Sequence, residues 1–201
     1  MTQPLKNMSD KNILDNDEAF NALYPDPIKA VAARHWTPVD VVKKAAAFLA
    51  THSGAKVLDI GSGSGKFCLI AAHLYPHVQW TGVEQREELV LLCDEMKARL
   101  KIENVKFLAQ NITEADFEPY DHFYFYNSFY ENLPGTQKID YSVSYSEKLY
   151  DYYNLFLYKK LMKRPSGTRL VTYHSLGSEV PEGYEVVGTD YSEFLKFRVK
   201  I

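Results

Sequence analysis

The run Lys56-Val57-Leu58-Asp59-Ile60-Gly61-Ser62-Gly63-Ser64-Gly65-Lys66-Phe67 constrains this 201-residue chain more than any other segment. A short apolar strand stops at a carboxylate, the chain turns on glycines, and a helix follows at once. Glycines at 61, 63 and 65 permit backbone angles that other residues avoid. They also let a ligand lie against the main chain beside the free N–H groups of a helix start. A second apolar strand, Thr81-Gly82-Val83-Glu84, ends in a carboxylate 25 positions after Asp59. A glycine loop followed at about that distance by an acid able to grip ribose hydroxyls is the logic of a nucleoside-cofactor pocket.

The glycine spacing narrows the cofactor. A dinucleotide site uses Gly-x-Gly-x-x-Gly, whereas this loop is Gly-x-Gly-x-Gly with an acid, Asp59, two residues before it. A triphosphate loop ends in Gly-Lys-Ser/Thr with a further glycine five residues upstream; Lys66 is followed by Phe67, and that glycine is missing. The pattern from Val57 to Gly65 resembles the first motif of class I methyltransferases that use S-adenosylmethionine. Glu84 matches that family's acid at the end of the second strand.

The rest of the chain reads as one α/β unit with enough residues for a substantial core. The formal net charge of -3 gives no global positive field for nucleic acid. No apolar run approaches the roughly 20 residues needed to cross a bilayer, and Met1–Lys6 carries no apolar signal segment. Cys68 and Cys93 stand alone and read as buried thiols in a reducing compartment. The six histidines show no metal-ligand spacing, so no metal is expected. A cytoplasmic protein is the expectation.

Strands are predicted at 56–60, 78–84, 105–109, 123–126, 169–173, 184–189 and 194–199. Helices are predicted from Thr37 to about 52, from the glycine loop toward Tyr75, over 86–101 and over 142–163. In the first of these Thr37 is the expected N-cap, with Pro38 at the first helical position. Five βα units closed by a hairpin give an α/β, doubly wound, mostly parallel seven-stranded sheet with an antiparallel C-terminal hairpin, the Rossmann-like methyltransferase fold. Residues 1–36 form an N-terminal segment that is a candidate lid, and 37–201 the methyltransferase domain.

The resemblance implies roles for individual residues. Asp59 helps hold the ammonium group of the cofactor's methionine end. Gly61, Ser62 and Gly63 pass beneath methionine and ribose, and side chains added at Gly63 or Gly65 would fill the ligand's space. Glu84 accepts the ribose hydroxyls, Gln85 flanks the adenine, and Asn111 beside Ile112 offers an amide where the family often has an acid. A surface turn is the competing reading for Asn111. Thr37 would lie near the methionine carboxylate with Trp36 as a cover, against a plain cap with a packed aromatic. At the end of the fourth strand, Tyr126-Asn127-Ser128-Phe129-Tyr130 resembles the Asn-Pro-Pro-Tyr motif of methyltransferases acting on amino groups. Asn127 and Tyr130 match, and Ser128-Phe129 replaces the prolines. Non-SET histone-lysine methyltransferases also carry asparagine and phenylalanine there, which brings in Phe129.

These residues point to an S-adenosylmethionine-dependent methyltransferase, yielding S-adenosylhomocysteine and methylating nitrogen. A protein side chain or small molecule is favoured over nucleic acid as acceptor, with an RNA base kept as a subsidiary. A non-catalytic cofactor-binding module is the alternative from another class. Fifteen tyrosines, many of them between 120 and 158, fit either an aromatic cleft or a homodimer interface.

Overall fold

The computed structural model describes residues 13–201; Met1–Lys6, and with it the expectation about a signal segment, lies outside them. Five parallel strands, β1 (Lys56–Ile60), β2 (Gln79–Glu84), β3 (Val105–Ala109), β4 (His122–Phe125) and β5 (Arg169–Tyr173), share one sheet with β6 (Tyr184–Asp190) and β7 (Leu195–Lys200). The order is β3-β2-β1-β4-β5-β7-β6. Strand β7 runs antiparallel to both β5 and β6. This is the expected doubly wound α/β sheet with its antiparallel hairpin.

The helices are α1 (Asp17–Asn21), α2 (Asp26–Lys29), α3 (Ala32–His35), α4 (Val39–Leu49), α5 (Lys66–Leu74), α6 (Glu87–Leu100) and α7 (Glu147–Met162). Period-2 alternation splits β1 between two layers. Val57 joins the core under α4, α5 and α6, and Leu58 and Ile60 join the core under α7. Helix α4 turns Val41, Val42, Ala45 and Leu49 inward, as its 3.6-residue stripe predicts. Its Phe48 packs on Phe197 of β7 with ring centroids 5.2 Å apart.

Three expectations are corrected. The β3–β4 crossover holds only a single 3₁₀ turn, Ile112–Glu114, and no helix follows β5, so there are fewer than five βα units. The connection after β3 spends its residues on a capped turn, Asn111 to Thr113 N, and on burying Ala115 and Phe117. Thr37 is not an N-cap. Helix α4 begins at Val39, whose N–H is accepted by Asp17 Oδ1 at 3.0 Å, while Thr37 Oγ1 pairs with Tyr124 OH at 3.0 Å. Helix α7 starts at Glu147 rather than 142 because Ser146 caps it through Leu149 N, and Asp140 holds Ser142 in a separate turn.

Residues 13–36 pack into the same core as the sheet: Leu14, Phe20, Leu23, Tyr24 and Trp36 are all buried in it. The buried ammonium of Lys66 is bonded to Asp17 and to Asn21 Oδ1, and lies 5.5 Å from the Phe20 ring and 5.8 Å from that of Trp36. Tyr24 OH donates to Ser64 O at 2.7 Å. The segment therefore clasps the start of α5 immediately after the glycine loop.

Candidate cofactor and acceptor site

The strand order reverses between β1 and β4, so the loops leaving their C-terminal ends diverge and open a crevice, the place where doubly wound sheets hold ligands. A cavity of about 550 Å³ occupies it. Gly61, Gly63, Glu84, Gln85, Asn111, Ile112, Asn127, Phe129 and Tyr130 all line this cavity. Thr37, Asp59 and Ser62 instead line a small adjoining recess of about 30 Å³, which shares Gly61 with the cavity. Gly65 lines neither. It has φ +79°, and a Cβ there would lie 2.7 Å from Cys93 Sγ and 2.9 Å from the Phe107 ring. Its bareness serves helix packing, which corrects the expectation that a side chain there would fill ligand space. Gly63, at φ +53°, has nothing within 4 Å of such a Cβ, so the space over it is free.

Glu84 is buried at the cavity wall. Its Oε2 accepts Gly63 N–H at 3.1 Å, and its Oε1 accepts Arg86 N–H at 3.0 Å and Arg86 Nη1 at 3.1 Å. Burial pushes its carboxyl above the usual range while the Arg86 guanidinium pulls the other way. Arg86 Nη2 also donates to Glu131 Oε2 and Tyr145 OH, both at 2.7 Å. Glu131 Oε2 further accepts Ile139 N–H at 3.2 Å, so Glu84 is tied through Arg86 to a second segment lining the cavity, at Glu131 and Ile139. Arg86, Glu131 and Tyr145 went unrecognised in the sequence. The one signal was a basic residue two positions after Glu84, which reads equally well as the start of α6.

Asn111 does two jobs at once. Its Oδ1 accepts Thr113 N at 3.0 Å and Thr113 Oγ1 at 2.9 Å, and its Nδ2 donates to Tyr153 OH at 2.8 Å and Gln85 Oε1 at 3.2 Å. The amide oxygen expected to receive the adenine amine thus already accepts two hydrogen bonds from Thr113, in a capped turn that also lines the cavity. Of the tyrosine-rich region, Tyr153 lines the cavity and Tyr145 bonds Arg86 and Glu131 behind its wall, whereas Tyr141 and Tyr152 are exposed.

Across the cavity, Asn127 follows β4 at φ +39°, a left-handed angle uncommon outside glycine but tolerated by asparagine. Its side-chain amide makes no hydrogen bond among the described residues, while its carbonyl accepts Tyr130 N–H at 3.0 Å. Ser128, where the motif has proline, donates to Ile60 O at 2.6 Å and approaches Gly61 so closely that a Cβ there would meet Ser128 Cβ at 2.4 Å. That contact locks the β4 turn onto the glycine loop. Phe129 is buried against Phe125 and Tyr153, and Tyr130 is 45% exposed at the mouth. His174, left-handed at φ +51° after β5, stacks on Phe194 with centroids 4.4 Å apart; both also line the mouth.

The recess holds Asp59, fully buried, whose carboxyl burial pushes up to about 7; its Oδ2 accepts only a 3.4 Å contact from Cys68 Sγ. Trp36 lies there too, packed 4.7 Å from the Tyr24 ring rather than over the cavity. Bare backbone at Gly63, a buried acid at Glu84 and buried hydrogen-bonding atoms without partners at Ser62 Oγ and His35 Nε2 fit a nucleoside cofactor with a polar tail. Among the described residues no cluster of three or more metal-ligating side chains occurs, and no helix is long and apolar enough to cross a membrane.

A family model described as a methyltransferase domain matches residues 51–151, from the end of α4 into α7. Over 55 residues the chain is 44% identical to a tRNA (guanine-N(7)-)-methyltransferase of Prochlorococcus marinus, covering 27% of this chain and 26% of that protein. It is 46% identical over 55 residues to the enzyme of the same name from Synechococcus, covering 27% of this chain and 23% of that one. The chain thus spans about a quarter of the length of the curated relatives it matches. An RNA methyltransferase from Salinibacter ruber, solved with S-adenosyl-L-homocysteine, shares the fold with a TM-score of 0.56 at 19% identity, covering 82% of this chain and 91% of that one. The preference for a protein or small-molecule acceptor over nucleic acid is corrected by these matches, since the relatives named are tRNA methyltransferases. A negative net charge argued against a global field, but it carries no information about one base entering a local cavity. The chain belongs to the methyltransferase domain family, the class I S-adenosylmethionine-dependent methyltransferases.

Proposed function

We propose that this methyltransferase transfers a methyl group to a ring or exocyclic nitrogen of an RNA base. The observation that carries the reading is the pairing, in one cavity, of a glycine loop with free space over Gly63 beside Glu84 and an unbonded side-chain amide at Asn127 beneath an aromatic mouth. Bound S-adenosylmethionine supplies an electrophilic sulfonium methyl; the protein's work is placement. Glu84 and the Gly63 region hold the nucleoside, with Glu84 already fixed by Arg86. For an exocyclic amine the Asn127 side-chain amide oxygen accepts an N–H of the target nitrogen and aims its lone pair inward; for a ring nitrogen, which carries no N–H, the same amide holds a neighbouring N–H of the base. Tyr130 and the stacked His174–Phe194 pair offer flat faces to a heterocycle, and burial lowers the pKa of His174 and keeps it neutral. Partial identity to tRNA methyltransferases supports the RNA acceptor. Buried free thiols at Cys68 and Cys93 fit a reducing, cytoplasmic setting. The test is incubation with methyl-labelled cofactor and unmodified tRNA, total protein or a small-molecule pool: label in the tRNA fraction supports the reading, and label confined to another fraction refutes it.

A further inference from the structure

We propose that Arg34, His174 and Phe194, on the rim of the cavity, form a binding site for one nucleotide of the acceptor RNA, its base stacked on Phe194 and its phosphate paired with Arg34. The inference rests on the RNA-acceptor reading above and adds how the strand is gripped outside the reaction centre. Three large apolar residues stand exposed around the mouth: Tyr130 at 45%, Leu176 at 64% and Phe194 at 52%. Such a cluster beside a cavity marks a surface that meets a partner. The chemistry there is that of flat faces. His174 lies on Phe194 with ring centroids 4.4 Å apart and an interplanar angle of 23°. Burial lowers the pKa of His174, so the pair is uncharged and offers an aromatic platform on which any base can stack.

Strained backbone holds the platform. Tyr191, Ser192 and Glu193, in the turn between β6 and β7, are left-handed at φ +51°, +55° and +68°, and His174 is at +51°. Side chains resist such angles, which persist where surrounding contacts impose them and cluster at functional sites. Here Asp190 accepts Tyr191 N–H at 2.7 Å and pairs with Lys44 of α4. Phe194 N–H donates to Tyr191 O at 3.1 Å, and His174 N–H to Phe194 O at 2.9 Å, which joins the turn to the loop after β5. Arg34 supplies the charge. It is exposed at the same cavity, in α3. Its carbonyl accepts Tyr126 OH at 3.0 Å, and the Tyr126 ring lies 5.9 Å from that of His174, so cation and platform share one rim. Glu84, Arg86 and Glu131, the other formally charged residues of the wall, are paired with one another. The Arg34 guanidinium has no hydrogen-bond or ion-pair partner among the described residues. An uncommitted guanidinium beside an aromatic platform suits a phosphate next to an unpaired base.

The test measures binding of unmodified tRNA to the full chain, with S-adenosylhomocysteine present, by fluorescence anisotropy between about 50 and about 200 mM salt. Arg34→Gln should weaken binding severalfold and reduce the slope of log affinity against log salt by about 0.7–0.9, the loss of one phosphate contact. Phe194→Ala and Phe194→Leu should each weaken it about tenfold at unchanged slope, and Phe194→Trp should restore it, because stacking needs a π-face rather than bulk. Every variant should keep its circular dichroism and hold S-adenosylhomocysteine as the wild type does. Arg34 is exposed, so its variant decides the matter should a Phe194 variant fail to fold. Loss of S-adenosylhomocysteine affinity in a folded variant would place the rim in the cofactor site and overturn the proposal. An unchanged salt slope in Arg34→Gln, or a Phe194→Leu variant that binds tRNA like the wild type, would overturn the rim site and leave the acceptor reading standing. A wild-type protein that binds no tRNA would overturn that reading and the rim site together.

Discussion

Gly63 N–H lies 3.1 Å from Glu84 Oε2, so the glycine loop after β1 is bonded to the acid that ends β2. The bond holds the loop and the carboxylate side by side at the cavity wall. It also makes the acid's orientation a property of the fold, since Arg86 fixes the other oxygen. Preorganisation of this kind removes ordering cost from ligand binding.

Glu84→Gln should therefore weaken S-adenosylhomocysteine binding by roughly 1.5–3 kcal/mol, the scale of hydrogen bonds to a charged group. Titration calorimetry reads it directly. An unchanged dissociation constant would remove Glu84 from the ribose.

Gly63→Ala and Gly65→Ala should separate. At Gly65 a methyl meets Cys93 and Phe107 on a left-handed backbone, so stability should fall by roughly 2–4 kcal/mol. At Gly63 the methyl meets nothing, so stability should fall by only about 1–2 kcal/mol while ligand affinity suffers more. Denaturant unfolding and titration of both variants check the split.

Asp59 titrates in the opposite sense to most acids. Its carboxyl is raised from 3.8 to about 7, so between those values the folded protein binds a proton that the unfolded chain releases. Its contribution to stability is therefore present at low pH and lost as pH rises through that window. The stability difference, Asp59→Asn minus wild type, should climb from about pH 4 to about pH 7 and level off above. His122, lowered to about 4 by burial, works the other way and costs stability as pH falls from 6.5 toward 4, so the wild-type profile alone hides both. A flat difference curve would mean Asp59 is ionised throughout.

Asn127→Gly keeps the left-handed backbone and deletes only the amide. It should leave cofactor affinity and stability close to wild type and lower the methyl-transfer rate by roughly 1.5–3 kcal/mol of barrier. Equal loss of affinity and rate would assign Asn127 to the cofactor rather than the acceptor.

Arg86→Met strands Glu84 and Glu131 in a buried position without their cation. Destabilisation of roughly 3–5 kcal/mol is expected, with Tyr145 and the covering segment loosened. Hydrogen exchange of residues 131–145 should rise in step.

The local code at 56–67 and 79–84 was strong enough to read from residues alone, because glycines, apolar alternation and a terminal acid act within a few positions. The doubly wound sheet with its antiparallel hairpin came from the strand and helix alternation together with the family resemblance those residues carry. What escaped were relationships across the fold. Arg86 reaches Glu131 over 45 residues, and Asp17 replaces Thr37 as the cap of α4 from 22 residues upstream. Gly65 looked like part of a ligand cradle because spacing cannot tell a neighbouring Phe107 from a neighbouring ribose. His35, at the end of a four-residue helix, carried no periodic signal at all.

The most direct test of the account is calorimetric titration of the wild-type protein with S-adenosylhomocysteine, with NAD as control. The account predicts binding of the former on the order of micromolar and none of the latter. Binding of NAD without S-adenosylhomocysteine would contradict it.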